Sequence, residues 1–341
     1  MTALTIPTHP DEDSGLRPVP WRRMTWVTWR QHRIALGGVA VFLGAVAVYL
    51  WLTGLQLHHA YAAVTACHPA GSVVCAGMAN LFNTRYVPSA VVATVVMQAV
   101  PALIGAFAGA PVLAREMETG TFRYAWTQGF GRSRWTLAKL VPLAIAVAAA
   151  AGALSLLYSW YLQPFFADGF VIPLAPAVFG MRGVAFAAWT LAAVAIGALV
   201  GMLIRRVVPA MATTMVVYAG LALAAGLNLR QHYLTPLVTG SVNGPGSAWI
   251  ISQWYTKGGK FAFAGVQKSG TNAQRVQQFC PSAPPSETLG QCLSTHGYTQ
   301  WTSYQPTSRF WTFQWIEGGW LLALSVLLIA ATVWLVRRRA T

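Results

Sequence analysis

Charged residues are scarce in this chain. They make up 9% of its 341 residues, against about 25% in an ordinary soluble domain, whereas 55% of the residues are hydrophobic. This deficit excludes a soluble enzyme, a disordered chain, a collagen-like protein and a nucleic-acid-binding protein. Together with a mean hydropathy of +0.50, it indicates an integral membrane protein.

Aspartate, glutamate, lysine, arginine and histidine are absent from the longest apolar runs. Six runs can each cross about 30 Å of hydrocarbon as a helix, and they cover residues 34–57, 87–113, 140–162, 183–204, 207–229 and 318–336. The two-residue alternation of a β-barrel is missing. We therefore predict an all-α integral membrane protein with six transmembrane helices. Because intramembrane charges mark proton relays and ion-coupled transport, their absence argues against a transporter that carries its own energy coupling.

Catalytic signatures are missing as well. Neither His-Glu-x-x-His nor Gly-x-Ser-x-Gly occurs. The pair Gly259-Lys260 is not a phosphate-binding loop, because Trp254 stands where the first glycine is required and Phe261 follows the lysine. We expect no catalytic activity, no metal site and no cofactor in this chain. Any uphill transport must therefore draw its energy from a partner chain.

Positive charge is present in excess, and its position predicts the orientation. Fifteen of the 23 lysines and arginines flank the apolar runs on one side of the membrane: Arg17, Arg22, Arg23, Arg30, Arg33, Arg115, Arg123, Arg132, Arg134, Lys139, Arg205, Arg206, Arg337, Arg338 and Arg339. By the positive-inside rule, this side and both termini are cytoplasmic.

All four cysteines fall on the other side of the membrane. Cys67 and Cys75 follow the first run, and Cys280 and Cys292 precede the last. Their segregation favours disulfides, which need an oxidising compartment. Three connectivities are possible. Closing the two short local loops, Cys67–Cys75 and Cys280–Cys292, is the simplest, and four free thiols are the alternative.

The chain divides into five segments. Residues 1–20 are predicted to be a disordered cytoplasmic tail. Residues 21–33 are predicted to form an amphipathic helix whose arginines contact lipid phosphates in the headgroup layer, or alternatively an extension of the first span. Residues 34–229 hold five spans, with a cytoplasmic loop at 114–138. Residues 230–313 are predicted to form an extracytoplasmic subdomain. Residues 314–341 hold the last span and a basic C-terminus.

Two Gly-x-x-x-Gly pairs lie inside the predicted spans. Gly105 and Gly109 belong to the second span, and Gly197 and Gly201 belong to the fourth. Such pairs let two helices approach closely, either within one chain or between two chains.

Two charges stand just before the last span. Arg309 and Glu317 are eight residues apart, which places them roughly on one face of a continuous helix. An Arg309–Glu317 ion pair would close an outer gate. Two solvated interfacial charges are the alternative.

The loop at 114–138 is longer than a simple connection needs. It holds acidic and basic residues together with several aromatic residues and a Gly-x-Gly turn. Exposed aromatic and arginine side chains together are typical of a protein-contact patch. A loop that lies amphipathically in the headgroup layer is the alternative.

The motifs of this loop carry a resemblance. Glu116-Met117-Glu118-Thr119-Gly120-Thr121 is followed by Gly131-Arg132-Ser133-Arg134 and then by Lys139. This order resembles the permease subunit of type 2 ABC transporters, which has six spans, cytoplasmic termini and a large outer loop before the sixth span. The stretch 304–314 is similar to actinobacterial permeases of this class.

The resemblance implies a transport subunit of a bacterial cell membrane that works with other chains. Two copies of this chain, or this chain and a sister permease, would form the substrate pathway. Two separate ATPase subunits would bind ATP and magnesium and drive export. They would contact the coupling segment, which comprises Arg115, Glu116, Glu118, Thr119, Gly120, Thr121, Phe122, Arg123 and Trp126.

Two other classes of function remain open. The first is a membrane sensor or scaffold, whose outer loop binds a ligand and whose cytoplasmic loop binds a regulator. The second is an integral membrane enzyme, which the lack of polar residues inside the spans disfavours. A stoichiometric ATPase partner would distinguish the exporter from both.

Overall fold

The structure is a computed structural model that describes residues 21–69, 72–120, 132–240, 248–264 and 289–338. Its helices are α1 Trp21–Thr65, α2 Val73–Ile104, α3 Ala110–Thr119, α4 Arg132–Tyr161, α5 Gln163–Ala167, α6 Pro176–Phe179, α7 Gly183–Ile204, α8 Val207–Ala224, α9 Leu289–Thr295 and α10 Phe310–Arg338. Its strands are β1 Leu237–Thr239, β2 Trp249–Lys257, β3 Lys260–Ala264 and β4 Tyr298–Gln305. The predicted tail at 1–20 lies outside the described residues.

Six helical segments of the described chain are long and apolar enough to cross a membrane. They cover Leu36–Thr65, Val73–Thr119, Ser133–Tyr161, Gly183–Ile204, Val207–His232 and Thr307–Arg338. This confirms the prediction of six spans. Most of these helical segments extend beyond the predicted apolar runs, and the extensions include charged residues such as Arg85, Lys139 and Arg230.

The helix α7 is the centre of the bundle. In the most apolar stretch of α7, 72% of the residues are buried inside the chain, against 11% in the corresponding stretch of the first span. Small residues of α7 allow this burial because they let neighbouring backbones approach closely. A helix that is apolar on all sides fits such a central position.

The two Gly-x-x-x-Gly pairs pack against each other within the chain. A Cβ atom at Gly197 would lie 2.4 Å from the backbone oxygen of Gly105, and one at Gly201 would lie 2.4 Å from that of Ala110. Gly105–Gly109 is a π-helical stretch between α2 and α3, and it lies directly on α7. Of the two alternatives, the structure therefore supports intrachain contact.

The helix α1 is continuous over 45 residues. Its backbone runs through 21–33 without a break, as in the alternative in which this segment extends the first span. The position of its first turns in the headgroup layer stays a prediction.

We call the end of the bundle that carries Arg115, Arg205 and Arg337 the basic end. The opposite end, the sheet end, carries a four-stranded antiparallel sheet of order β1-β4-β2-β3.

The sheet corrects the all-α prediction. Its longer strands, 249–257 and 298–305, are rich in aromatic and β-branched residues, which favour strands, but both are short and contain polar residues, so neither forms a long apolar run.

A tight turn pairs two strands of this sheet. Lys257 of β2 lies opposite Lys260 of β3, and the two residues between them, Gly258 and Gly259, have positive φ values of 58° and 76°. Two consecutive left-handed residues are the requirement of a type I′ hairpin turn, which glycine meets without strain.

A disulfide closes the connection between α1 and α2. It joins Cys67 and Cys75, which confirms that predicted pair. The hydroxyl of Ser72 accepts a hydrogen bond from the backbone N–H of Cys75 at 3.2 Å and so caps α2 beside it. Cys292 is also disulfide-bonded, whereas Cys280 lies outside the described residues.

Candidate functional site

At the basic end, the coupling segment begins on the last turns of α3. Glu116 is 7% exposed, and its carboxylate forms an ion pair with the ammonium group of Lys139, which is 5% exposed, on α4. That ammonium group also lies 4.3 Å from the ring centroid of Trp135. A buried charge is tolerated when its partner and further contacts compensate for the lost hydration.

Glu118 occupies a different position from Glu116. Its side chain is exposed, and Oε2 accepts a hydrogen bond of 3.0 Å from the backbone N–H of Val207, the first residue of α8. The N-cap residue Arg206 makes no side-chain capping bond. Glu118 supplies the acceptor that a capping side chain would otherwise provide. Its negative charge also interacts favourably with the positive end of the α8 helix dipole.

The two glutamates therefore connect the end of α3 to two other helices, α4 and α8. Gly120 then ends α3 with a φ of 71°, a left-handed position that favours glycine. Thr119 donates through its hydroxyl to the carbonyl of Arg115 at 2.9 Å, and Arg115 is exposed. The other predicted residues of the coupling segment, Thr121, Phe122, Arg123 and Trp126, lie outside the described residues.

Contact between the coupling segment and an ATPase stays a prediction. The structure refines it in one respect, because the carboxylate of Glu116 is buried and paired inside the chain. Of the two glutamates, Glu118 is the one with an exposed side chain. The sequence offered one signal for the buried pair: Lys139 is the basic residue nearest to the start of the third apolar run.

At the sheet end, Glu317 pairs with Arg230 and not with Arg309. The Arg230 guanidinium donates from Nε and Nη2 to the two carboxylate oxygens at 2.9 and 2.7 Å. Arg309 instead donates to the carbonyl of Thr235 and to Oε1 of Gln305, both at 2.7 Å. The Arg309–Glu317 pair is therefore wrong, and the alternative of two solvated charges is wrong for Glu317, which is fully buried.

The reason lies in where the last helix begins. Arg309 belongs to the short 3-10 turn Thr307–Arg309, and α10 starts at Phe310. The helical spacing that would align Arg309 with Glu317 therefore does not apply. Arg230 follows a π-helical stretch, Ala225–Leu229, at the end of α8, and this stretch brings it to the buried face of α10.

Further donors complete the coordination of the Glu317 carboxylate. The indole N–H of Trp189 on α7 donates to Oε1 at 2.7 Å, and the hydroxyl of Tyr233 donates to Oε2 at 3.1 Å. Glu317 is fully buried and Arg230 is 4% exposed. Burial, together with the charge of Glu317, raises the pKa of the Tyr233 hydroxyl, which keeps it in the donor form.

The guanidinium group of Arg230 is held on its other sides as well. Nη1 donates to the carbonyl of Pro176 on α6 at 3.2 Å, and the guanidinium carbon lies 4.6 Å from the ring centroid of Phe179. The network thus ties α6, α7, α10 and the turn after α8 together beneath the sheet. Long-range pairing of this kind leaves no local signal in the sequence.

A family model places the chain among known proteins. The model described as "ABC-2 membrane transporter related" matches residues 40–230, which is more than half of the chain. The matched region includes Glu116, Glu118, Lys139 and Arg230, and it ends before the sheet. No curated protein and no solved structure gives a significant match. The chain belongs to the ABC-2 membrane transporter related family.

Proposed function

We propose that this chain is the permease subunit of an ATP-driven exporter. It forms the substrate pathway with a second copy of itself or with a sister permease, and two ATPase subunits supply the energy by binding and hydrolysing ATP with magnesium. Family membership supports the transport role. The observation that carries the coupling to an ATPase is the attachment of Glu116 and Glu118 to α4 and α8.

The attachment gives a physical route for coupling. A partner that pushes on the segment after α3 displaces the C-terminal end of that helix. The Glu116–Lys139 ion pair passes this displacement to α4, because a buried pair resists separation. Glu118 passes it to the N-terminus of α8 through the Val207 N–H. Chains of packed helices and polar contacts of this kind can carry energetic coupling between distant sites.

The charge distribution supports an orientation with the basic end in the cytoplasm of a bacterial cell. The positive-inside rule counts arginines and lysines in short loops, and these concentrate at the basic end. The Cys67–Cys75 disulfide at the sheet end suits an oxidising exterior. An ATPase that uses cytoplasmic ATP would then meet the coupling segment on its own side of the membrane.

Co-purification tests the partnership. The tagged full chain is extracted from its native membrane in a mild detergent, and the eluate is analysed by mass spectrometry and for ATP hydrolysis. We expect a stoichiometric subunit with a Gly-x-x-x-x-Gly-Lys-Ser/Thr motif and vanadate-sensitive turnover. A chain that purifies alone, or with a partner that binds no nucleotide, would overturn the exporter proposal in favour of a sensor or scaffold.

Substitution of Glu118 tests the coupling route. Glu118→Ala removes the acceptor for the Val207 N–H and leaves the buried Glu116–Lys139 pair intact. We expect the complex to assemble, but the permease should no longer change the rate at which the ATPase subunits hydrolyse ATP. Glu118→Gln is the matched control, because its amide oxygen keeps the acceptor and its turnover should stay close to that of the wild type. Unchanged turnover in Glu118→Ala would contradict the route.

A further inference from the structure

An apolar groove opens between α1, α3 and α4 near the basic end. Its volume is about 430 Å³, and its walls come from 36–43 on α1, from 107–112 in the π-helical stretch and the start of α3, and from 138–150 on α4. Lys139 is the charged residue among those that line it. A second cavity of about 350 Å³ shares Val39 and Phe107 with the groove, so the two extend along the same side of α1.

The sequence creates this space with small residues. Gly37 on α1 has nothing within 4 Å of the place where a Cβ atom would stand. The facing wall of α4 contributes three alanines, at 138, 146 and 150, together with Pro142. The helix α1 therefore stands away from α4 at this level, and the gap is lined with methyl and methylene groups.

The groove lies in the leaflet next to the basic end. It uses the beginning of the first span, the end of the second and the beginning of the third, and all three approach that end. At this depth an apolar groove on the outside of a bundle faces acyl chains. The surroundings therefore indicate a lipid tail as the occupant.

Arginines stand directly below the groove on each of the three helices. Arg33 is four residues before Gly37, Arg115 is four residues after Pro111, and Arg134 is four residues before Ala138. Residues four apart share one face of a helix. Arg33 and Arg115 are exposed, so both can reach an anion in the headgroup layer.

We propose that this groove binds one phospholipid with an anionic headgroup, taken from the leaflet at the basic end. One acyl chain fills the space between α1 and α4, and the headgroup phosphate pairs with Arg33 and Arg115. The lipid links α1, which is otherwise little buried, to the pair of helices that carries Glu116 and Lys139. The site goes beyond the proposed transport role, since it needs neither an ATPase nor a cargo.

Native mass spectrometry of the purified full chain tests the site. Phosphatidylglycerol and phosphatidylcholine with identical acyl chains are titrated separately, and the bound lipid per chain is measured. Gly37→Phe places a ring in the groove, and we expect it to lower the affinity for both lipids at least tenfold. Gly44→Phe is the matched control, because Gly44 is also open on α1 but lines neither cavity, and it should bind like the wild type.

A charge variant tests the headgroup contact. The double substitution Arg33→Gln with Arg115→Gln should lower the affinity for phosphatidylglycerol by about fivefold for each arginine and leave that for phosphatidylcholine unchanged. Arg85→Gln, an exposed arginine nearer the sheet end, is the control and should change neither. Because the variants at 33 and 115 are exposed, they remain informative even if Gly37→Phe fails to fold.

Three results would overturn the proposal. The first is equal binding of the anionic and the zwitterionic lipid by the wild type. The second is an unchanged lipid count in Gly37→Phe. The third is a Gly37→Phe chain that keeps its lipid but loses transport by the assembled complex, because the groove would then belong to the cargo.

Discussion

Glu317 and Arg230 form a buried, two-point ion pair across 87 residues of sequence. Each carboxylate oxygen accepts a second hydrogen bond, one from Trp189 and one from Tyr233. Because the ion pair and these hydrogen bonds offset the hydration that both charges lose on burial, the pair holds the helices that carry it in one arrangement. The loss of one partner leaves the other charge without compensation in an apolar site.

Removal of Glu317 should therefore destabilise the protein strongly. We expect Glu317→Ala to cost about 3–5 kcal/mol, seen as a fall in the unfolding temperature of the detergent-solubilised full chain. The double variant Arg230→Met with Glu317→Leu should recover most of the loss, because it leaves no unpaired charge. Arg309→Gln is the control and should have a much smaller effect. An unfolding temperature for Glu317→Ala equal to that of the wild type would contradict the network.

The Glu116–Lys139 pair should show strong coupling in a double-mutant cycle. Each single variant, Glu116→Met or Lys139→Met, leaves one buried charge unpaired, whereas the double variant leaves none. We expect the double variant to be more stable than either single variant, measured by thermal unfolding. Strictly additive effects would mean that the two charges do not stabilise each other.

Glu118→Ala should lower the free energy of unfolding by only about 1 kcal/mol, since it removes an exposed cap.

The contact of α7 with the π-helical stretch should not tolerate a methyl group. In Gly197→Ala the added Cβ would lie 2.4 Å from the Gly105 oxygen and 2.7 Å from the Ala110 nitrogen. Since these are backbone atoms, the helices must separate, and we expect a loss of about 1–3 kcal/mol in thermal unfolding. Gly220→Ala on α8 has nothing within 4 Å and should be neutral or stabilising by up to about 1 kcal/mol. Equal unfolding temperatures for the two variants would contradict the close approach.

The sheet should lose stability at high pH through Tyr255. Burial raises the pKa of this β2 tyrosine above its usual value of 10.0. From about pH 10 upward the folded state therefore holds more protons than the unfolded state, and the free energy of unfolding falls as pH rises. Tyr255→Phe should lessen this fall between about pH 9 and 11, measured by thermal unfolding of the full chain. The same pH dependence in both proteins would contradict the assignment.

The spans were predictable because they depend on a local property. A helix must present roughly 20 apolar residues to cross the hydrocarbon core, and any window of the sequence can be tested for that. The run at 183–204 matches α7 residue for residue. The pair Cys67–Cys75 was predictable for a similar reason, since its two members lie eight residues apart.

The contacts at both ends of the bundle were not predictable in this way. The sequence suggested Arg309 as the partner of Glu317 because the two are close along the chain, but the carboxylate pairs with Arg230 after a π-helical turn. The β-sheet was missed because its four strands come from 237–305, and two of them, β1 and β4, pair across more than 60 residues.

The sequence by itself determined that this protein spans the membrane six times and that its positive charge gathers at one end, because hydropathy and charge act on each segment independently. The tertiary structure alone decided that α7 lies at the centre, that Glu116 is buried while Glu118 caps α8, and that Arg230 holds Glu317. The physical reason is that a buried charge is stable only where distant helices bring its partners together, and that choice depends on the packing of the whole chain.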